Sequence, residues 1–280
     1  VFVDYSMLFG ALTDAELKAN GIEALSELSS EKIAQIKVRR FRNYVIHLTR
    51  SHTTYQGLWL VFCLFFIGHQ YKDIKKKIAP ILIGLVVLLL LGWLVLISPR
   101  MPILSGILVG LGALFLFSKI RIKVKIGFTI GLGFLFTGLI LVKNPVSTRL
   151  HEYYRTGFSM LKNEQKIDQY NSTNVRNGIY YCDLQLLKKH YGFGVGIGDV
   201  QDQLNQCYQD ELSSKIYSWQ PYNTHNQYFF FWLASGVIGL VSFMLLLVQF
   251  FKKAIKEKHS LLFYTTTLVS LVFLTENLLE

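Results

Sequence analysis

Pro221-Tyr222-Asn223-Thr224-His225-Asn226-Gln227-Tyr228 closes a long polar segment (roughly 143–222) and opens an apolar run that continues to Phe251. A run of that length spans the hydrocarbon core of a bilayer, about 30 Å. The junction therefore sits at a water–membrane interface, and it carries a histidine. Imidazole is the side chain whose ordinary charge change falls nearest neutral pH, and at an interface it can act on molecules held in the membrane.

Working outward, the same pattern recurs. Of the 280 residues, 51% are hydrophobic, 14% aromatic and 17% charged, with mean hydropathy +0.35. Soluble domains carry about 25% charged residues. Apolar runs at about 53–69, 78–97, 103–118, 126–142 and 226–251, and one starting near Leu261, predict six spans. The fold class expected is all-α: a polytopic transmembrane helix bundle with a large helical loop at 143–222. The chain opens on Val1-Phe2-Val3 as if mid-helix and stops at Glu280 within an apolar pattern, so a single membrane domain over 1–280, cut from a longer chain, is expected. Residues 1–12 resemble a span end, Thr13-Asp14-Ala15-Glu16 a capping box and Asn20-Gly21 a helix stop. Ser30-Glu31 opens a basic amphipathic helix, either interfacial or packed on the loop.

The net charge of +11 could suggest nucleic acid, but the basic residues collect in short loops. Segments 70–77, 119–125 and 252–258 hold twelve Lys/Arg against two acids, whereas 143–222 holds nine against eight. Short basic loops stay cytoplasmic. This alternation puts His52, Arg100, Arg176 and His225 on the opposite, outer face. Cys182 and Cys207 share the large loop and can pair if it lies outside the cytoplasm, whereas Cys63 lies within an apolar run.

Five residues stand out for chemistry, each with a plainer reading beside it. His225 is a candidate base or a cap of the helix that follows, with Thr224 or Asn223 as alternative N-caps. Arg100, between Pro99 and Pro102, is a phosphate clamp or a snorkelling anchor; a guanidinium fork matches phosphate oxygens bidentately. Arg176, ahead of a helix expected over 177–190, is a ligand or a solvated surface residue. His52 opens the first span. Glu276 interrupts an apolar run, where acids are usually functional or paired. Gly192-Phe193-Gly194-Val195-Gly196-Ile197-Gly198-Asp199 follows a helix instead of a strand, so it reads as a turn with close backbone approach and not a dinucleotide loop. No metal-ligand spacing and no cofactor motif are found in the sequence.

Together, several short pieces resemble the O-antigen ligase and polymerase family of bacterial envelope glycosyltransferases. They are His52-Thr53-Thr54-Tyr55, Ser98-Pro99-Arg100, Arg176 with its helix, Gly194-Val195-Gly196-Ile197-Gly198-Asp199, Thr224-His225-Asn226-Gln227-Tyr228 with Ala234-Ser235-Gly236, and Thr275-Glu276-Asn277. Ser98-Pro99-Arg100 departs from the family's usual Ser-Arg pair, and His52-Thr53 from its His-Pro. The resemblance implies a multi-pass protein of the bacterial inner membrane with a periplasmic active face. It implies metal-independent, inverting transfer of a glycan from an undecaprenyl-diphosphate carrier to a hydroxyl of the lipid A core (ligase) or of another glycan (polymerase). His225 would be the base; Arg100 and Arg176, with His52 and Glu276, would bind substrate. Membrane lipids would be partners, and nucleic acid would not. A polysaccharide transporter without chemistry is the alternative of a different class; it predicts repeats and broken helices at the midplane.

Overall fold

The computed structural model describes residues 10–13, 30–97, 99–141, 154, 156–162, 172–218 and 221–279. The expected span end at 1–12, the capping box and the helix stop at Asn20-Gly21 fall largely outside these residues. Among the described residues there is no strand. The helices are α1 (Ser30–Thr49), α2 (Thr53–Ile74), α3 (Pro80–Ile97), α4 (Arg100–Phe117), α5 (Ile122–Leu141), α6 (Ser172–Lys189), α7 (Val200–Cys207), α8 (Gln227–Lys256) and α9 (Ser260–Val272). α3, α4 and α8 are long and apolar enough to cross a membrane. Their apolar side chains face outward instead of into a core, as with Leu89 and Val95 (both 73% exposed), the pattern of a surface solvated by lipid. The chain is an all-α membrane protein.

It divides into two units, Val1–Ile103 and Leu104–Glu280. In the first, α2 packs on α3, and Phe41 of α1 meets Trp93 of α3 edge-on, ring centroids 6.3 Å apart. Arg42 Nη2 donates to Thr53 Oγ1 at 3.0 Å, tying α1 to the buried start of α2. Gly57 has no room for a side chain: a Cβ there would run into the ring of Pro99 and lie 3.2 Å from Pro102 Cβ. This lets α2 press against the turn that carries Arg100.

In the second unit, α8 and α9 form an antiparallel pair joined by a tight basic turn. Phe263 of α9 packs on Ala113 and Phe117 of α4 and Ala254 of α8. Lys125, only 7% exposed, donates to the carbonyls of Phe115 (3.1 Å) and Ser118 (2.8 Å). It thereby satisfies orphan acceptors at the C-terminus of α4. The polar segment folds into a cap of α6, α7, a π turn (Tyr208–Leu212) and a 3₁₀ turn (Lys215–Ser218). A Cys182–Cys207 disulfide staples α6 to α7. The cap's core, which includes Ile179, Leu186, Leu204 and Leu212, continues into Phe230 and Leu233, so the first turns of α8 belong to it.

α8 is not continuous. Gly236 has φ +66° and ψ −168°, and the turn at 191–198 fills the break. Val195 N–H donates to Leu233 O (2.7 Å), and Val237 N–H to the carbonyls of Gly192 (3.2 Å) and Tyr191 (3.3 Å). The backbones touch closely enough that a Cβ on Gly194 would strike Leu233 O and one on Gly236 would strike Gly192 O. The close approach expected of the glycine-rich turn is thus present, and its partner is the helix break.

Candidate active site

The site grows from the chain's return after α9. That helix ends at Val272, so Glu276 lies beyond it and not within a continuous span as the apolar run suggested. Residues 273–279 fold back over the start of α8. Gln227, fully buried, accepts on Oε1 from the N–H groups of Leu278 (2.8 Å) and Leu279 (2.9 Å), and its own N–H donates to Phe273 O (2.9 Å). Asn277 Nδ2 donates to buried Thr224 Oγ1 (2.9 Å), and Asn226 Nδ2 to Leu274 O (3.3 Å). These bonds close two chain segments some 50 residues apart into one rigid corner and aim Glu276 at His225. Thr224, which the sequence offered as an N-cap, is with Gln227 and Asn277 a positioning residue, a role that sequence reasoning assigned to none of them. Their signal was polar side chains beside a histidine and beside an acid at the ends of apolar runs.

His225 does not cap the helix. Asn226 does, its Oδ1 accepting from Tyr228 N–H (3.0 Å) and Phe229 N–H (3.2 Å). The two other histidines at helix starts behave differently: Nδ1 of His52 accepts from Thr54 N–H (3.3 Å), and Nδ1 of His259 from Leu262 N–H (3.2 Å). His225 instead sits one residue upstream with φ +45°, a left-handed conformation that costs about 1–3 kcal/mol in a residue with a side chain. Its N–H donates to Asn223 Oδ1 (3.1 Å), which holds that conformation. The capping reading of His225 therefore fails, whereas His52, for which none was made, does cap its helix.

The Glu276 carboxylate lies between two cations or potential cations. Oε1 is 3.3 Å from Arg176 Nη2, and Oε2 is 3.7 Å from His225 Nδ1. The second distance suits an ion pair but not a hydrogen bond, and Nδ1 has no hydrogen-bond partner. The Glu276 side chain is 10% exposed, that of His225 27% and that of Arg176 38%, so acid lies beneath and base and guanidinium reach the surface. Arg176 stands in the second turn of α6, which starts at Ser172, in the Ser/Thr/Asn cluster that reads as a helix start, so the helix covers Arg176 as well as the stretch expected from 177. Tyr180, one turn on, packs edge-on against Phe229 with centroids 6.1 Å apart. Burial, opposed by Arg176 and reinforced by Asp183 and Glu276, raises its hydroxyl above the usual phenol range, so Tyr180 is neutral beside the pair. Asp183, fully buried with neither carboxyl oxygen hydrogen-bonded, is raised well above the carboxylate range by burial.

Of the five residues expected, three (Arg176, His225 and Glu276) meet. His52 and Arg100 belong to the first unit. There Arg100 is exposed at the N-terminus of α4, and Gly57, just past His52, abuts Pro99, so both occupy one end of that unit. Among the described residues no group of three His, Cys, Asp or Glu side chains gathers as a metal site.

Depth along α8 can be read from its basic end. A core of about 30 Å takes about 20 residues at 1.5 Å each. Counted back from Lys252, it reaches Trp232. By length alone, the residues before it, Gln227 and His225 among them, then fall past the apolar stretch, the level at which headgroups lie.

The family model described as O-antigen ligase matches residues 85–244, more than half of the chain and including Arg100, Arg176 and His225. The chain belongs to the O-antigen ligase family. No curated protein matches it. Membership makes it a membrane protein of glycosyltransferase type, whose substrates are lipid-linked glycans and their acceptors.

Proposed function

We propose that this O-antigen ligase family member transfers a glycan from an undecaprenyl-diphosphate carrier to an acceptor hydroxyl, with inversion and without a metal, on the periplasmic face of the bacterial inner membrane. The observation that carries this reading is the Arg176–Glu276–His225 cluster at headgroup depth, where the diphosphate of a lipid carrier lies. With Nδ1 turned to Glu276, Nε2 of His225 is the nitrogen left to act as base. It takes the proton from the acceptor O–H as that oxygen attacks the anomeric carbon from the face opposite the diphosphate. The anomeric C–O bond breaks, and its electron pair leaves with the diphosphate. Positive charge aimed at the leaving oxygens stabilises the transition state more than the ground state. Arg176 supplies it from the cluster. The family resemblance assigns phosphate binding to Arg100 as well, whose charge adds to the positive end of the α4 dipole within its own unit. Glu276 keeps imidazole oriented and steadies the imidazolium that forms, as the buried aspartate does in a Ser-His-Asp triad.

The Cys182–Cys207 disulfide supports the periplasmic side, since such bonds persist in oxidising compartments. Turnover of a purified undecaprenyl-diphosphate-linked donor, with EDTA present and with lipid A core or glycan acceptors supplied separately, tests the reading. Transfer to the core makes it a ligase, transfer to a second glycan a polymerase. No transfer to either refutes it.

A further inference from the structure

The turn that fills the α8 break presents its side chains away from the protein. Phe193 is 89% exposed, Ile197 75% and Tyr191 57%. Such large apolar residues on a turn would be costly in water, since removing apolar area from water is the main favourable term in folding. The depth of the turn is fixed by its bonds to Leu233 and Val237. On the scale drawn from Lys252, Gly236 lies about 6 Å inside the hydrocarbon boundary. The tip is thus continuous with the outward apolar surface of α8, where Ile238 is 66% and Leu245 56% exposed. Trp232 marks the boundary itself: its indole N–H donates to Tyr191 O (3.1 Å), and the two rings meet edge-on at 5.9 Å. Paired Trp and Tyr at that level are the signature of an interfacial belt. Val195 N–H and the carbonyls of Tyr191 and Gly192 are paired across the helix break, which meets for those groups the requirement that polar backbone at membrane depth be satisfied.

We propose that the 191–198 turn is a membrane-inserted anchor, with Phe193 and Ile197 in the acyl region of the leaflet on the cap side. It ties α6 and α7, and with them Arg176, to the membrane plane. The occupant of this apolar tip is lipid, and the inference rests on the depth of α8, not on the transferase reading. The test uses the full chain in nanodiscs with Cys63→Ser as background. Single Phe193→Cys, Ile197→Cys, Ile238→Cys and Asp210→Cys variants carry an environment-sensitive fluorophore. Phe193 and Ile197 are so exposed that replacing them removes little packing, and size-exclusion profiles confirm the fold. Labels at 193 and 197 should be quenched by acyl-brominated lipid as strongly as the label at 238. They should be quenched several-fold more than the label on exposed Asp210, with aqueous iodide showing the reverse order. Iodide quenching at 193 and 197 equal to that at 210 overturns the proposal. So does protection from both quenchers, which would mean a protein surface covers the turn.

Discussion

Glu276→Gln keeps the shape of the side chain and removes its charge, so it tests whether the carboxylate works through His225. At 3.7 Å and an effective dielectric near 20, the attraction between Glu276 and a developing imidazolium is about 4 kcal/mol. Arg176, 3.3 Å from the other oxygen, offsets part of it, and His225 is a quarter exposed. A remainder of about 2–3 kcal/mol corresponds to roughly 10²-fold in kcat. The loss should fall on kcat. KM for the lipid-linked donor should hold or drop, since Arg176 is released to the diphosphate. Single-turnover transfer separates the two. In the Glu276→Gln/His225→Ala double variant the losses should not add, because the two residues act as a unit. A folded Glu276→Gln enzyme with wild-type kcat, or losses that multiply in the double variant, refutes the arrangement.

Other perturbations address the frame. Gly194→Ala should destabilise by on the order of 3 kcal/mol, combining left-handed backbone strain with a broken Val195–Leu233 bond; melting in detergent measures it, and an unchanged melting temperature contradicts the packing at the helix break. Replacing Cys182 and Cys207 by Ser removes a cross-link over 25 residues, which the chain-entropy account values at about 3.5 kcal/mol. Reductant should then lower the melting temperature of the wild type only. Asp183→Asn addresses a buried acid. The raised folded pKa means that stability is full below the ordinary carboxylate range. As pH rises past about 4, the unfolded chain loses its proton while the folded one keeps it, and stability falls. Melting curves against pH should show the variant gaining on wild type from pH 4 to pH 8; a constant difference contradicts it.

Much of this was legible from hydropathy. The run at 78–97 is α3 (Pro80–Ile97), and that at 226–251 is the bulk of α8 (Gln227–Lys256). Position at the ends of apolar runs also brought out His225 and Glu276, whereas Arg176, inside the polar segment, came forward through the family resemblance. What sequence could not show was how they meet. Glu276 reaches His225 only because 273–279 leaves the helix, and that departure is held by Gln227 and Asn277 through contacts some 50 residues apart in sequence. Local propensity carries no trace of such contacts. The sequence offered His225, Thr224 or Asn223 as the cap of α8, and none of them is: Asn226 caps it, accepting from the N–H groups of Tyr228 and Phe229. The helix break at Gly236 was hidden within a predominantly apolar stretch. Although broken helices are a mark of transporters, this break is filled by backbone from the 191–198 turn and sits toward the cap end of α8.

The most direct measurement is transfer from purified undecaprenyl-diphosphate-linked glycan by the full protein in EDTA, comparing wild type with His225→Ala. The wild type should turn over, and the folded variant should be slower by about 10²–10⁴-fold, the range a general base supplies. Equal turnover by His225→Ala would contradict the assignment of His225 as the base.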